Sequence, residues 1–318
     1  MDKTQIAVLD DYQGVALQMA DWSPLASRAE VIVYRDHLSD FGGLAERLAP
    51  FDVVCVMRER TPITRALLQL LPNLKLIVST GKRNASIDLQ AAAEQGVLVC
   101  HTGYLGHGAA ELTWTLILAA LKNLAAETTS VRRGNWQTTV GRDLKSSTIG
   151  IVGLGNLGSI IARYARTFEM NVIAWSTNLT REKAEAEGAH LVSKEQLFRE
   201  ADVVTVHLVS SDRNRAIIGA PELNQMKSSA WLVNTSRGPL VDESALVEVL
   251  TARKIGGAAL DVFNEEPLPP QHPFRYLDNV LATPHIGFVT ESTYQVFFRD
   301  TVENIAAWLD GHPIRKMN

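Results

Sequence analysis

The sequence predicts an α/β protein of two parallel-sheet domains, each sheet covered by helices. Three observations predict it. Short β-branched runs alternate with segments of helical apolar spacing, the pattern of parallel strands joined by crossover helices. The alternation pauses around Gly134, Trp136 and Gly141 and then begins again. The second series opens on a strand that runs into a Gly-x-Gly-x-x-Gly turn. A length of 318 residues fits about two domains.

In the first series, Ile6–Leu9, Ala29–Tyr34, Val53–Val56, Leu74–Val78 and Val97–Val99 read as strands. Between them, Phe41 to Leu48 and Thr64 to Leu71 place apolar residues at helical intervals. A longer helix follows from near Gly108. Ala110, Leu112, Trp114, Leu116, Ile117, Leu118, Ala120 and Leu121 make it apolar nearly all round, as expected of a helix buried between layers or domains. The second series has strands at Thr148–Val152, Val172–Trp175, Val203–Leu208, Ala230–Asn234, Gly257–Asp261 and Val280–Thr283. Six strands with intervening helices is the count of a complete dinucleotide-binding sheet. The tail from Thr290 to Leu309 reads as one amphipathic helix that returns to the first domain. The expected division is therefore a discontinuous outer domain, 1–100 with 287–318, around one contiguous inner domain, 101–286.

Composition bounds the function. Hydrophobic residues make up 46% and charged residues 21%, ordinary values for a chain that buries a sizeable core. A net charge of -4 and the absence of a long basic run give no electrostatic support for a nucleic-acid or anionic-membrane partner. No window approaches the roughly 18 apolar residues that span a bilayer, and no secretory leader is legible at the start. The cytoplasm is the expected location. Cys55 and Cys100, the only two cysteines, each lie in an apolar run and read as buried thiols. The eight histidines form no ligand-spaced cluster, so no metal is expected.

The Gly-rich turn is Gly153-Leu154-Gly155-Asn156-Leu157-Gly158, between a strand and the helical run Ser159 to Ala165. The first glycine permits the tight turn, the second admits a pyrophosphate, and the third lets helix and strand pack closely. Free N–H groups at the helix start, from Asn156 and Leu157 onward, then face the phosphates. Dinucleotide binding is the expected role. An acidic residue about 20 residues on would select the ribose hydroxyls of NAD. This chain has Ser176, Thr177 and Asn178 there, with Arg181 nearby and no carboxylate. The expected cofactor is NAD(H) or NADP(H), with a lean to acceptance of NADP. The same residues could instead only cap the helix that starts near Thr180.

Three polar residues follow three later strands: Arg237 in Asn234-Thr235-Ser236-Arg237-Gly238, Glu266 in Asp261-Val262-Phe263-Asn264-Glu265-Glu266-Pro267, and His285 in Pro284-His285-Ile286-Gly287. A cation, a carboxylate and an imidazole at one rim can bind an acid and move a proton. Glu265 is the alternative carboxylate; adjacency to the proline favours Glu266.

With these motifs in this order, the chain resembles the D-isomer-specific 2-hydroxyacid dehydrogenases, which include phosphoglycerate, glycerate, lactate and formate dehydrogenases. The resemblance covers nearly the whole chain. It implies two Rossmann-like, doubly wound domains with the active site in a cleft between them, and a homodimer formed through the cofactor domain. It implies that Arg237 binds the substrate carboxylate, that His285 is the acid/base, and that Glu266 orients the ring and favours its protonated form. It places Asp261 near the nicotinamide carboxamide, and His207 and Thr235 among the cofactor-binding residues. The backbone of Lys82 and Arg83, in Ser79-Thr80-Gly81-Lys82-Arg83-Asn84, matches the loop that holds the substrate carboxylate.

Some positions leave the family pattern. Arg83 stands for a second glycine, Ala85-Ser86 for an Asp-Asn pair, Val209 for a proline, and Phe288 for a small residue that would leave a wider pocket. Two cations at Lys82 and Arg83 are compatible with a substrate bearing an extra anionic group, or with side chains that only face solvent. Arg58, Tyr104 and His107 are further candidate pocket neighbours. The expected activity is interconversion of a 2-oxo acid and a D-2-hydroxy acid by hydride transfer. The alternatives are a nucleotide-sensing, corepressor-like protein on the same fold, and a formate- or phosphite-type dehydrogenase.

Overall fold

A computed structural model describes residues Lys3–Asn318. The chain divides into two compact units, Met1–Leu105 with Val289–Asn318, and Gly106–Phe288. These divisions stand beside the expected boundaries at 100/101 and 286/287.

The first unit is built on a five-stranded parallel sheet: β1 Thr4–Val8, β2 Ala29–Val33, β3 Val53–Val56, β4 Leu76–Ser79 and β5 Leu98–His101, in the order β2-β1-β3-β4-β5. Every residue of β3 and β4 is buried, as parallel strands covered on both faces require. That is why they read as unbroken apolar runs rather than alternating ones. Helices carry N-caps that the sequence supplies at the right places. Asp40 accepts from Gly43 N ahead of Phe41–Leu48, and Thr64 from Leu67 N ahead of Arg65–Leu68; such caps contribute about 1 kcal/mol each. The helix Glu291–Leu309, capped by Thr290, belongs to this unit. Its Asp300 accepts from Gly103 N and its Asn304 donates to His101 O, fixing the chain just past β5.

The second unit carries a seven-stranded parallel sheet: β6 Thr148–Val152, β7 Asn171–Trp175, β8 His190–Leu191, β9 Val203–Val206, β10 Trp231–Asn234, β11 Gly257–Leu260 and β12 Val280–Ala282. The order is β12-β11-β10-β9-β6-β7-β8. The sequence leads to six strands here; the seventh, β8, has only two residues, paired in register with Ile173 and Ala174, too short to show a β pattern. Alternate residues feed two cores on opposite faces. Leu232 and Ala258 pack with Leu197, Phe198 and Leu246, while Val233 and Ala259 pack with Ile117, Ile161 and Ala162. Full burial of a side chain such as Phe198 contributes about 2–3 kcal/mol. The helix His107–Leu121 buries nine residues, including Trp114 and Ile117, which accounts for its nearly all-round apolarity. Cys55 and Cys100 are free and buried.

Chain order reverses beside β6, whose neighbours are β7 and β9. Ligands of open α/β sheets bind outside the carboxyl ends of strands at such a switch point. Among the described residues, no helix is long and apolar enough to cross a membrane.

Candidate active site

The Gly-rich turn joins β6 to the helix Asn156–Thr167, which has no side-chain cap at Gly155. Its three glycines meet different surroundings. A Cβ on Gly153 would approach His207 O to 2.8 Å, and one on Gly158 would collide with Gly153 O at 2.1 Å. A Cβ on Gly155 would meet nothing within 4 Å. The first and third glycines therefore let chain pack on chain, and the second borders open space. Uncapped N–H groups beside that space, at the positive end of a twelve-residue helix, fit the pyrophosphate of a dinucleotide.

The trio comes off β10, β11 and β12, three neighbouring strands of the same sheet. Arg237 follows β10 in a turn shaped by Asn234, whose Oδ1 accepts from Ser236 N and whose Nδ2 donates to Arg237 O. Ser236 Oγ donates to Val206 O, tying the turn to β9. Arg237 is half-buried. The next residue, Gly238, lies so close to the Phe263 backbone that a Cβ would fall 2.1 Å from its carbonyl carbon. The turns of Arg237 and Glu266 are thus packed backbone to backbone.

His285 Nδ1 lies 2.6 Å from Glu266 Oε2. The other carboxylate oxygen, Oε1, accepts from Phe263 N at 2.9 Å, so Glu266 is fixed at both ends. Of the two adjacent carboxylates, Glu266 is the one bonded to the histidine, while Glu265 is exposed. An ionised carboxylate only accepts, so Nδ1 carries the proton of this bond. Nε2 is left as the nitrogen that can exchange a proton. The ring also meets Phe288 edge to face, centroids 5.4 Å apart, and Phe288 is 5% exposed. His285 has a left-handed backbone, φ 52°, a conformation costing about 1–2 kcal/mol for a residue with a Cβ and kept where surrounding contacts enforce it.

Asp261, just past β11, is buried. Its carboxylate accepts from Thr283 Oγ1, Ile286 N and Gly287 N at 2.7, 2.8 and 2.9 Å. Burial pushes its pKa above the ordinary carboxylate range against the pull of these bonds.

Comparison with known proteins shows the family of the chain. The profile described as "D-isomer specific 2-hydroxyacid dehydrogenase, NAD binding domain" matches residues 114–287. A D-3-phosphoglycerate dehydrogenase of Methanocaldococcus jannaschii is 38% identical over 84% of this chain and 52% of its own length. The chain thus spans about half the length of that relative. A glyoxylate reductase of Aeropyrum pernix is 38% identical over 77% of this chain and 76% of its own. The chain belongs to the D-isomer specific 2-hydroxyacid dehydrogenases. A solved phosphoglycerate oxidoreductase of Vibrio cholerae o395 superposes with a TM-score of 0.92 at 38% identity, covering 97% of this chain and 99% of that one.

Other positions expected to serve this dehydrogenase family fall as follows. Thr177 and Asn178 are exposed and Ser176 half-buried just past β7. Thr180, not these three, caps the helix Arg181–Ala186. Thr235 Oγ1 lies 2.6 Å from Thr113 Oγ1, and Thr113 also donates to Ala109 O, so the Thr235 hydroxyl is the donor between them. The ring of His207 is buried, with Nε2 2.9 Å from Thr205 Oγ1 and Nδ1 without a partner. Burial pushes its pKa down to about 4. In the other unit, Gly81 is left-handed at φ 84°, and Lys82 and Arg83 expose their side chains. Arg58 packs its guanidinium 5.5 Å over the Tyr104 ring, while His107 opens the helix His107–Leu121. Among the described residues, no group of three or more His, Cys, Asp or Glu is arranged to hold a metal ion. Sequence reasoning missed Thr113 and Thr283. Thr113 carries no signal beyond its helix. Thr283 could have been found, since it opens the motif that contains His285.

Proposed function

We propose that this protein interconverts a 2-oxo acid and a D-2-hydroxy acid with a nicotinamide dinucleotide. The observation that carries the reading is the 2.6 Å contact between His285 and Glu266, on the same sheet as an uncapped Gly-rich turn. Gly153, Gly155, Asn156, Leu157 and Gly158 would hold the pyrophosphate, with His207, Thr235 and Asp261 along the remaining cofactor. Bound there, the dinucleotide would supply hydride to the carbonyl carbon, or would accept it in the reverse direction.

The chain's own groups do the rest. Arg237 offers a planar, forked donor that matches a carboxylate in two parallel hydrogen bonds and orients the adjacent carbonyl. His285 Nε2 gives its proton to the carbonyl oxygen as charge develops there. Glu266 accepts from Nδ1–H, which keeps that proton on the ring and fixes the ring plane, so the neutral ring that remains is ready to take a proton back on Nε2. Lys82 and Arg83 are assigned to anion binding. Both cationic side chains are exposed. Ser176, Thr177 and Asn178 put hydroxyl and amide groups, and no carboxylate, after β7. That composition removes repulsion of a 2′-phosphate, so NADP is proposed to be accepted at least as well as NAD.

A panel of glyoxylate, hydroxypyruvate, a dicarboxylic 2-oxo acid and a phosphorylated 2-oxo acid, each with NADH and NADPH, tests this. The expected result is turnover of at least one acid to the D product. The doubly anionic acids should show a KM about tenfold or more below that of glyoxylate, the worth of one added charge-assisted hydrogen bond. Equal KM values would remove the role given to Lys82 and Arg83. A strong NADH preference would remove the NADP assignment, and no turnover at all would remove the reaction.

A further inference from the structure

Asp261 and Thr283 stand on either side of a question the trio leaves open: what holds His285 in place. Glu266 and Phe288 constrain the ring, but neither holds the backbone that carries it. That backbone is left-handed at φ 52° and makes one local bond, from His285 N to Thr283 O at 3.0 Å. The residues around it are tied to a single side chain. Thr283 Oγ1 and Ile286 N donate to Asp261 Oδ1, and Gly287 N donates to Oδ2. One buried carboxylate therefore gathers the residues before and after the histidine.

We infer that Asp261 and Thr283 are positioning residues of the acid/base, closing the 283–287 turn so that His285 Nε2 is aimed for proton transfer. The chemistry calls for a carboxylate. An ionised carboxyl has about four lone-pair sites and no proton of its own, so it takes all three donors and keeps one site for a ligand. An asparagine would have to turn its NH2 group toward Thr283 and Ile286 or toward Gly287, setting donor against donor. Burial of the carboxyl makes that mismatch costly, because water is not there to repair it. Asp261 thus acts through the backbone of His285 whether or not its remaining lone pair also meets the cofactor.

The test uses the full-length protein with isotope-labelled histidine. The ring-nitrogen shifts of His285, assigned by their loss in His285→Gln, report which nitrogen holds the proton in the neutral ring. The expected wild-type state is the Nδ1–H tautomer facing Glu266. Asp261→Asn and Thr283→Val should move the ring to a mixture of tautomers, and Thr283→Ser should restore the wild-type shifts. The kinetic arm rests on the proposed reaction. There kcat should fall about a hundredfold in Asp261→Asn and at least about tenfold in Thr283→Val, with KM for the oxo acid nearly unchanged, as for a reacting group misplaced by an ångström. Wild-type shifts in both variants would overturn the inference, even if kcat fell, because Asp261 would then act on the cofactor alone. If Asp261→Asn does not fold, the Thr283 pair decides: shifts altered in Val and restored in Ser support the inference, and any other pattern overturns it. Absence of turnover in the wild type would end the proposed reaction and leave the spectroscopic arm intact.

Discussion

His207 and His285 are both histidines beyond strand ends of one sheet, and their surroundings give them opposite characters. His285 has a carboxylate partner on Nδ1 and a side chain 20% exposed, which leaves its ring open to the acid/base role proposed for it. The His207 ring is buried against Thr205, and burial lowers its pKa to about 4. It is neutral at physiological pH and is no acid/base. It has a consequence for stability. The unfolded chain takes up the proton near an ordinary histidine pKa of about 6.5, while the folded chain resists until about 4. The stability that His207 contributes is therefore complete above about pH 6.5 and is lost as pH falls toward about 4, by up to about 1.4 kcal/mol per unit. Between about pH 7 and pH 4.5, denaturant unfolding of the wild type should lose about 2–3 kcal/mol more than His207→Gln. Equal losses would show that the ring is not desolvated as described. At this scale the three candidates stood out because each lies in a turn just after an apolar, strand-like run. The bracing by Asp261 was not, because its donors lie 22 to 26 residues further along and only pairing of β11 with β12 brings them together.

The element that most rewards dissection is the β6 turn with its helix. Two of its glycines separate folding from binding. Gly158→Ala puts a methyl where 2.1 Å separates it from Gly153 O, a clash with backbone that should cost about 1–3 kcal/mol and weaken NAD(H) binding as well. Gly155→Ala meets no neighbour within 4 Å and should leave stability within about 0.5 kcal/mol. Its methyl would instead occupy the approach proposed for the pyrophosphate, so NADH affinity measured by calorimetry should fall about tenfold or more, a loss of at least about 1.4 kcal/mol. Normal NADH binding by Gly155→Ala would place the phosphates elsewhere. Element type was readable wherever several β-branched residues or a full apolar face lay together, as in β3, β4 and the helix Glu291–Leu309. It was unreadable for β8, where two residues, His190 and Leu191, pair with β7 and leave no periodic trace. Strand ends were less certain than their centres. Val203–Val206 stops short of His207 and Leu208, which lie against Gly153.

At the scale of the whole molecule, the fold class followed from alternation and length, whereas the strand orders did not. Nothing local states that β6 lies between β7 and β9. That order is set by right-handed crossovers packing helices on both faces, and its result is one strand edge that bears both the nucleotide turn and the trio. Nor did sequence say that the turns of Arg237 and Glu266 would lie backbone against backbone at Gly238. The proposed reaction gives one edge of the seven-stranded sheet two separable jobs: the Gly-rich turn would bind nucleotide, and His285 would move the proton. The most direct test is to measure NADH affinity and kcat of His285→Ala together, using the best acid from the panel. The predicted result is an NADH Kd near the wild-type value with kcat lowered about 10²–10⁴-fold, the usual worth of a positioned general acid. Wild-type kcat in that variant would contradict the account.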